Sequence, residues 1–114
     1  MNPTYAALGR YKAMWLFVCF DLPVLTKTQR REAARFRKNL LKDGFSMMQY
    51  SVYIRPCATN ETMMVHIARI KGMIPPEGLV SIVRITDRQF AETHTILGNK
   101  RKEPPKAPVQ LELF

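Results

Sequence analysis

Asp21 follows Met14-Trp15-Leu16-Phe17-Val18-Cys19-Phe20, a run without a charged side chain, and stands directly before Leu22-Pro23. A carboxylate where a strand stops and the backbone turns out of a sheet is well placed to hold a metal or a substrate group. The plain alternative is that Asp21 closes the strand or starts a turn, positions that Asp favours. One carboxylate alone is a poor metal site. A two-fold axis near the strand end would bring two Asp21 side chains together, and two carboxylates with waters suit Mg²⁺, a hard ion that keeps much of its hydration. Such an ion lowers the pKa of a bound water and stabilises charge on an attacked phosphodiester. The second group of interest is cationic: Lys27, Arg30, Arg31, Arg35, Arg37, Lys38 and Lys42, opposed only by Glu32 and Asp43. A charged helix face is often merely solvated, but the lopsided sign here points to phosphate contact. Other chemistries lack their residues: the sequence has no Gly-rich phosphate loop, no Ser/His/Asp order and no paired His. His66 and His94 are read as structural or surface residues. Cys19 and Cys57 show neither CxxC nor Cys/His spacing, so reduced structural thiols are expected rather than a disulfide or a zinc site.

The chain has 114 residues and a formal charge of +9, from 18 Lys and Arg against 9 Asp and Glu. That length supports one domain with a single core. The charge points to a polyanionic partner, nucleic acid first and an acidic membrane surface second. The longest apolar runs fall well short of the roughly 18 residues of a membrane span, and Met1 to Lys12 lacks the order of a secretory signal. A cytoplasmic protein with no membrane segment is expected.

The run from Met14 to Phe20 has to be positioned by its surroundings. Its aromatic and branched residues closed by a Pro turn predict a central strand buried on both faces, with Trp15, Phe17 and Cys19 pointing one way and Leu16, Val18 and Phe20 the other. Thr26-Lys27-Thr28-Gln29 has the form of a capping box and predicts a helix to about Asp43. Ala33, Phe36, Leu40 and Leu41 form its buried face, and Gly44 its stop. Phe45 to Met48 and Tyr50 to Arg55 read as a hairpin-like pair or a strongly bent strand, with Tyr50, Val52 and Ile54 on one face and Ser51, Tyr53 and Arg55 on the other. Asn60 is the expected cap of a second helix through Met73, with Met63, Met64, Ile67 and Ile70 inward. Leu79 to Thr86 reads as a strand and Asp87-Arg88-Gln89-Phe90 as a turn.

The resulting order, strand–helix–strand–strand–helix–strand, is that of a ferredoxin-like βαββαβ sandwich in the α+β class. Both helices fall on one face of its sheet. The other face is apolar too, so a sheet-to-sheet homodimer is the economical cover. Residues 1–13 read as an N-terminal extension and 14–98 as the ferredoxin-like domain. Residues 99–114 read as a basic, Pro-rich linker followed by a C-terminal extra strand. In that last segment Val109, Leu111, Leu113 and Phe114 alternate with polar residues and suit a strand that docks on an exposed sheet edge of a dimer mate or of another protein.

The strand ending in Asp21, the basic helix closed by Gly44 and above all Gln49-Tyr50-Ser51-Val52-Tyr53 resemble the small CRISPR-associated adaptation proteins, number two of the Cas series, over about Trp15 to Gly98. Thr86-Asp87-Arg88-Gln89-Phe90 is similar to the variant found beside the nuclease of type II systems. Many relatives carry an acidic residue after the aromatic of the central motif, where this chain has Ile54. The resemblance implies a ferredoxin-like homodimer at the centre of the spacer-acquisition complex, flanked by dimers of the CRISPR integrase, with duplex DNA across it. It also implies, for some members, a metal-dependent endonuclease acting on single-stranded RNA or duplex DNA, with the Asp matching Asp21 as catalytic residue and ligand of Mg²⁺. Three readings follow: a Mg²⁺-dependent phosphodiesterase built on paired Asp21 residues, a DNA-binding scaffold, and a non-catalytic single-stranded RNA binder of the RRM type. The third lacks the glycine and basic start of the RNP1 pattern within Met47 to Ile54.

Overall fold

The computed structural model describes residues 13–98. Its elements are β1 (Met14–Asp21), α1 (Lys27–Lys42), β2 (Ser46–Gln49), β3 (Val52–Cys57), α2 (Asn60–Lys71), β4 (Leu79–Thr86) and α3 (Asp87–Ala91). The four strands form one antiparallel sheet in the order β2-β3-β1-β4. This is the expected ferredoxin-like arrangement, with the first strand inside the sheet. The expected extension over 1–12, and the linker and terminal strand over 99–114 with Val109, Leu111, Leu113 and Phe114, lie outside the described residues.

Placement of β1 between two partners follows from its composition, because a strand without charged residues up to Phe20 loses least when both faces are covered. One face carries Leu16, Val18 and Phe20 into a core with Phe36 and Leu40 of α1, Met63 and Ile70 of α2, and Tyr53 and Cys57 of β3. Phe20 meets Phe36 edge-on at 5.1 Å between ring centres. The other face carries Trp15, which lies with Ile54 and Phe90 in a second, smaller cluster flanked by Phe17, Met48, Val52 and Ile85.

The sequence expectation of a turn after β4 is overturned by α3. Thr86 accepts from the backbone N–H of Gln89, and the Gln89 side chain accepts from the backbone N–H of Thr86, so four residues written as a turn nucleate a short helix. That helix lays Phe90 flat on Trp15, with ring centres 4.0 Å apart, and sets Asp87 to accept from Trp15 Nε1 at 2.8 Å. The Trp15 end of the second face is therefore covered within the chain. The other end is not: Leu79 is 67% and Val83 43% exposed.

Other expectations shift by local competition. The cap of α2 is Thr59, whose hydroxyl accepts from the backbone N–H of Thr62, and not Asn60; Gly72 closes the helix before Met73. Its inward stripe is Met63, His66, Ile67 and Ile70, while Met64 is 48% exposed. Leu41 of α1 also turns outward at 53% exposure, because Leu40 already fills the core-facing position. On β3 the helix side takes Tyr53 and Cys57, while Ile54 is buried on the opposite face. Both faces of this strand are thus core. Gly44 adopts φ 88°, a conformation that L side chains rarely take, so this stop is fixed by its backbone.

Phe90→Ala is expected to destabilise the fold by about 3 kcal/mol, since it removes a buried ring and uncovers Trp15. Denaturant unfolding checks this, and a change under about 0.5 kcal/mol would mean that α3 is not seated on the sheet. Burial pushes the Cys57 thiol above its ordinary 9.0, partly offset by the neighbouring Arg55 charge, and pushes the Tyr53 hydroxyl above its ordinary 10.0, partly offset by Arg37. Folded values raised in this way contribute stability that is complete below the ordinary values and is lost as pH rises through the folded ones. The unfolding free energy is expected to fall with increasing pH beyond 9.0, and Cys57→Ala to flatten the onset of that fall.

Candidate nucleic-acid interface

α1 starts at a complete capping box. Thr26 Oγ1 accepts from the Gln29 N–H at 3.0 Å, and Gln29 Oε1 accepts from the N–H groups of Thr26 and Leu25 at 3.0 and 2.9 Å. With the start fixed, the 16 residues have a definite rotation. Ala33, Phe36 and Leu40 enter the core. At 100° per residue Lys27, Arg31, Arg35, Lys38 and Lys42 then fall within a sector of about 80° on the side directly opposite. All five are exposed, and none has a hydrogen-bond or ion-pair partner among the described residues. At 1.5 Å per residue the stripe is about 22 Å long.

Two of the expected phosphate-binding cations do different work. Arg30 Nη1 donates to the carbonyls of Val24 and Leu25, both at 3.1 Å, and so ties the loop after β1 to the helix. Arg37 reaches away from the stripe to the turn between β2 and β3. Its guanidinium lies 4.0 Å from the centre of the Tyr50 ring and 5.4 Å from that of Phe20, and its Nε donates to the Tyr50 carbonyl at 3.4 Å. Of the six cations expected to bind nucleic acid, Lys27, Arg31, Arg35 and Lys38 therefore share one outward line, and Lys42 extends it. Arg30 and Arg37 are held to their own fold.

Of the two alternatives for His66, structural or surface, the fold takes the structural one. His66 is buried, and its Nδ1 donates to Asp43 Oδ2 at 2.7 Å, while Arg69 Nη1 donates to Asp43 Oδ1 at 2.9 Å. Asp43 caps the end of α1, so this pairing joins the ends of the two long helices and uses up one of the two acidic residues near the cationic face. Only the spacing of His66 with Met63 and Ile70, on one helical face, could have announced its burial.

Asp21 is exposed at the last position of β1, opposite Leu79, and its carboxylate makes no hydrogen bond or ion pair among the described residues. The turn of Tyr50 and Ser51 lies beside this strand end, since the Phe20 N–H donates to the Ser51 carbonyl at 3.0 Å. Among the described residues no three His, Cys, Asp or Glu gather as a metal site. Cys19 and Cys57 are free thiols.

Residues 14–93 match the family model described as CRISPR associated protein Cas2. The chain belongs to the Cas2 family. It is 46% identical to the CRISPR-associated endoribonuclease Cas2 of Flavobacterium psychrophilum over 110 residues, 96% of each chain. To the protein of the same name from Parvibaculum lavamentivorans it is 48% identical over 101 residues, which is 89% of this chain and all of that one. A crystal structure of Cas2 superposes with a TM-score of 0.55 at 20% identity, over 82% of this chain and 97% of the other, and agrees in fold. The Cas2 match takes in every described element from β1 to α3. Among the described residues no helix is long and apolar enough to cross a membrane.

The two kinds of arginine differ in what their removal does. Arg31→Ala and Arg35→Ala are expected to leave the unfolding free energy within about 0.5 kcal/mol of the parent. Arg37→Ala should lower it by about 1 to 2 kcal/mol, because a cation–π contact and a hydrogen bond to the turn are lost together. Parallel denaturant titrations of the three variants decide it; equal losses would contradict the division.

Proposed function

We propose that the protein is a CRISPR adaptation factor whose homodimer holds duplex DNA on its α1 faces within the spacer-acquisition complex. The observation that carries this reading is the stripe of Lys27, Arg31, Arg35, Lys38 and Lys42, which faces away from the core and has no carboxylate partner. Cations left unpaired in this way release counterions from a phosphate backbone on contact and contribute most of a sequence-independent affinity. Family membership supports the same reading. The dimer is supported by the uncovered end of the sheet, where Leu79 and Val83 remain exposed and a second copy would bury them. The CRISPR integrase is the partner for the segment carrying Val109, Leu111, Leu113 and Phe114, whose alternation suits addition to a sheet edge.

A second activity, Mg²⁺-dependent endonuclease cleavage, is favoured by the exposed and unpaired Asp21 and by the names of the relatives, which are endoribonucleases. Asp21 by itself fits Mg²⁺ only where a second Asp21 or a substrate phosphate completes the shell. Bound there, the ion would supply Lewis-acid stabilisation of charge on the attacked phosphodiester. Asp21 would hold it, while Arg31 and Arg35 bind and orient the substrate backbone. The RRM-type reading is not favoured, because Trp15 on the sheet face is covered by Phe90.

Duplex binding measured against salt, together with cleavage of labelled RNA and DNA, tests both parts. The logarithmic salt slope should approach about −4.5 per protomer, or about −9 for the homodimer, if all five cations of each α1 meet phosphates at about 0.9 per contact, and Arg31→Ala with Arg35→Ala should reduce it by about 2 per protomer. Asp21→Ala should bind as the parent does and lose any cleavage that Mg²⁺ supports and a chelator abolishes. A salt-independent affinity would sink the phosphate surface, and cleavage that survives Asp21→Ala would sink the nuclease assignment.

A further inference from the structure

Tyr50 is 70% exposed at the tip of the turn between β2 and β3. The ring is nevertheless fixed. Arg37 supports it at 4.0 Å, and the same guanidinium rests over Phe20 at 5.4 Å and donates through Nε to the Tyr50 carbonyl at 3.4 Å. Phe20 is in turn edge-on to Phe36 in the core, so the support is continuous from the interior to the turn. One face of the Tyr50 ring is thus occupied by the cation and the other is left to solvent.

We infer that Tyr50, braced by Arg37, is a stacking platform for one unpaired nucleobase of a single-stranded RNA or DNA. Every base has a π face, and an aromatic ring already immobilised on its far side loses little freedom when a base settles on it. Position supports the assignment. Lys38, which follows Arg37 on α1, belongs to the cationic stripe, and the Phe20 N–H bond to Ser51 places the turn beside the strand end that carries Asp21. The turn therefore sets an aromatic ring between Arg37 of α1 and the strand end that carries Asp21. Bases inside a duplex are already stacked and cannot use the platform, so it selects unpaired nucleotides. This inference rests on the nucleic-acid reading above and names the substrate feature that the same surface would recognise.

The test is anisotropy with the full chain on short labelled strands of RNA and of DNA, on a strand of the same length with an abasic backbone, and on a fully paired duplex. Each is measured over a range of salt for the parent, Tyr50→Ala and Tyr50→Phe. The parent should bind the base-bearing strands about five- to a hundredfold more tightly than the abasic one. Tyr50→Ala should erase that preference, and Tyr50→Phe should keep it within about twofold. The salt slope and the duplex affinity should be the same in all three proteins. Preference for RNA, for DNA or for both supports the platform, and the arm that shows it identifies the sugar. Salt-dependent binding of every strand without a preference for bases leaves the nucleic-acid reading standing and removes the platform. A base preference that survives Tyr50→Ala, or one that Tyr50→Phe loses, also removes it. Absence of binding to any strand by the parent at low salt overturns the nucleic-acid reading and the platform with it.

Discussion

Between Met14 and Phe20 the chain has no charged side chain, and the strand built from these residues lies between two others. Both of its faces must be kept from water, and the remaining elements can be understood as the means. The two long helices close one face with Phe36, Leu40, Met63 and Ile70. Among the described residues the other face is closed only toward the Trp15 end, where Phe90 covers Trp15. A strand covered so unevenly has a stable end and an available end. The available end carries Asp21, with Leu79 beside it and the Tyr50–Ser51 turn one hydrogen bond away.

The same economy governs charge. With an excess of 9 positive charges, a small domain repels itself, and some cations must be neutralised or diverted if the fold is to close. Arg30 and Arg37 are diverted onto backbone carbonyls of adjacent loops, and Arg69 is paired with Asp43, which also receives the buried His66. What remains on α1 is the outward line from Lys27 to Lys42. The stripe is therefore a residue of folding as much as a composition: the interior has already taken the cations that it can use.

Much of the architecture was legible before any coordinates. The strand and helix order, the Thr26 capping box, the stop at Gly44 and the position of Asp21 at a strand end are local signals, set by side-chain period and by hydrogen bonds between residues three or four apart. The failures were also local in origin. Asn60 resembles a cap, yet Thr59 precedes it and its hydroxyl reaches the N–H of Thr62 first. Thr86 to Phe90 reads as a turn, although its threonine and glutamine have the same spacing as Thr26 and Gln29 and make the same pair of capping bonds.

The seven-residue period-free run of β1 and the spacing of apolar residues in α1 and α2 determined by themselves that this chain is a βαββαβ domain with a basic first helix, because those patterns describe what each segment must bury. What Arg30 and Arg37 hold on to was decided only by tertiary structure. Helical phase separates Arg37 from Arg35, but no local pattern says what Arg37 meets: a turn 13 residues away in sequence brings the Tyr50 ring and carbonyl within its reach. Likewise, the burial of His66 depends on Asp43, 23 residues before it. Contacts of this kind join segments whose separation no local pattern records, and only the folded sheet and helices bring them together.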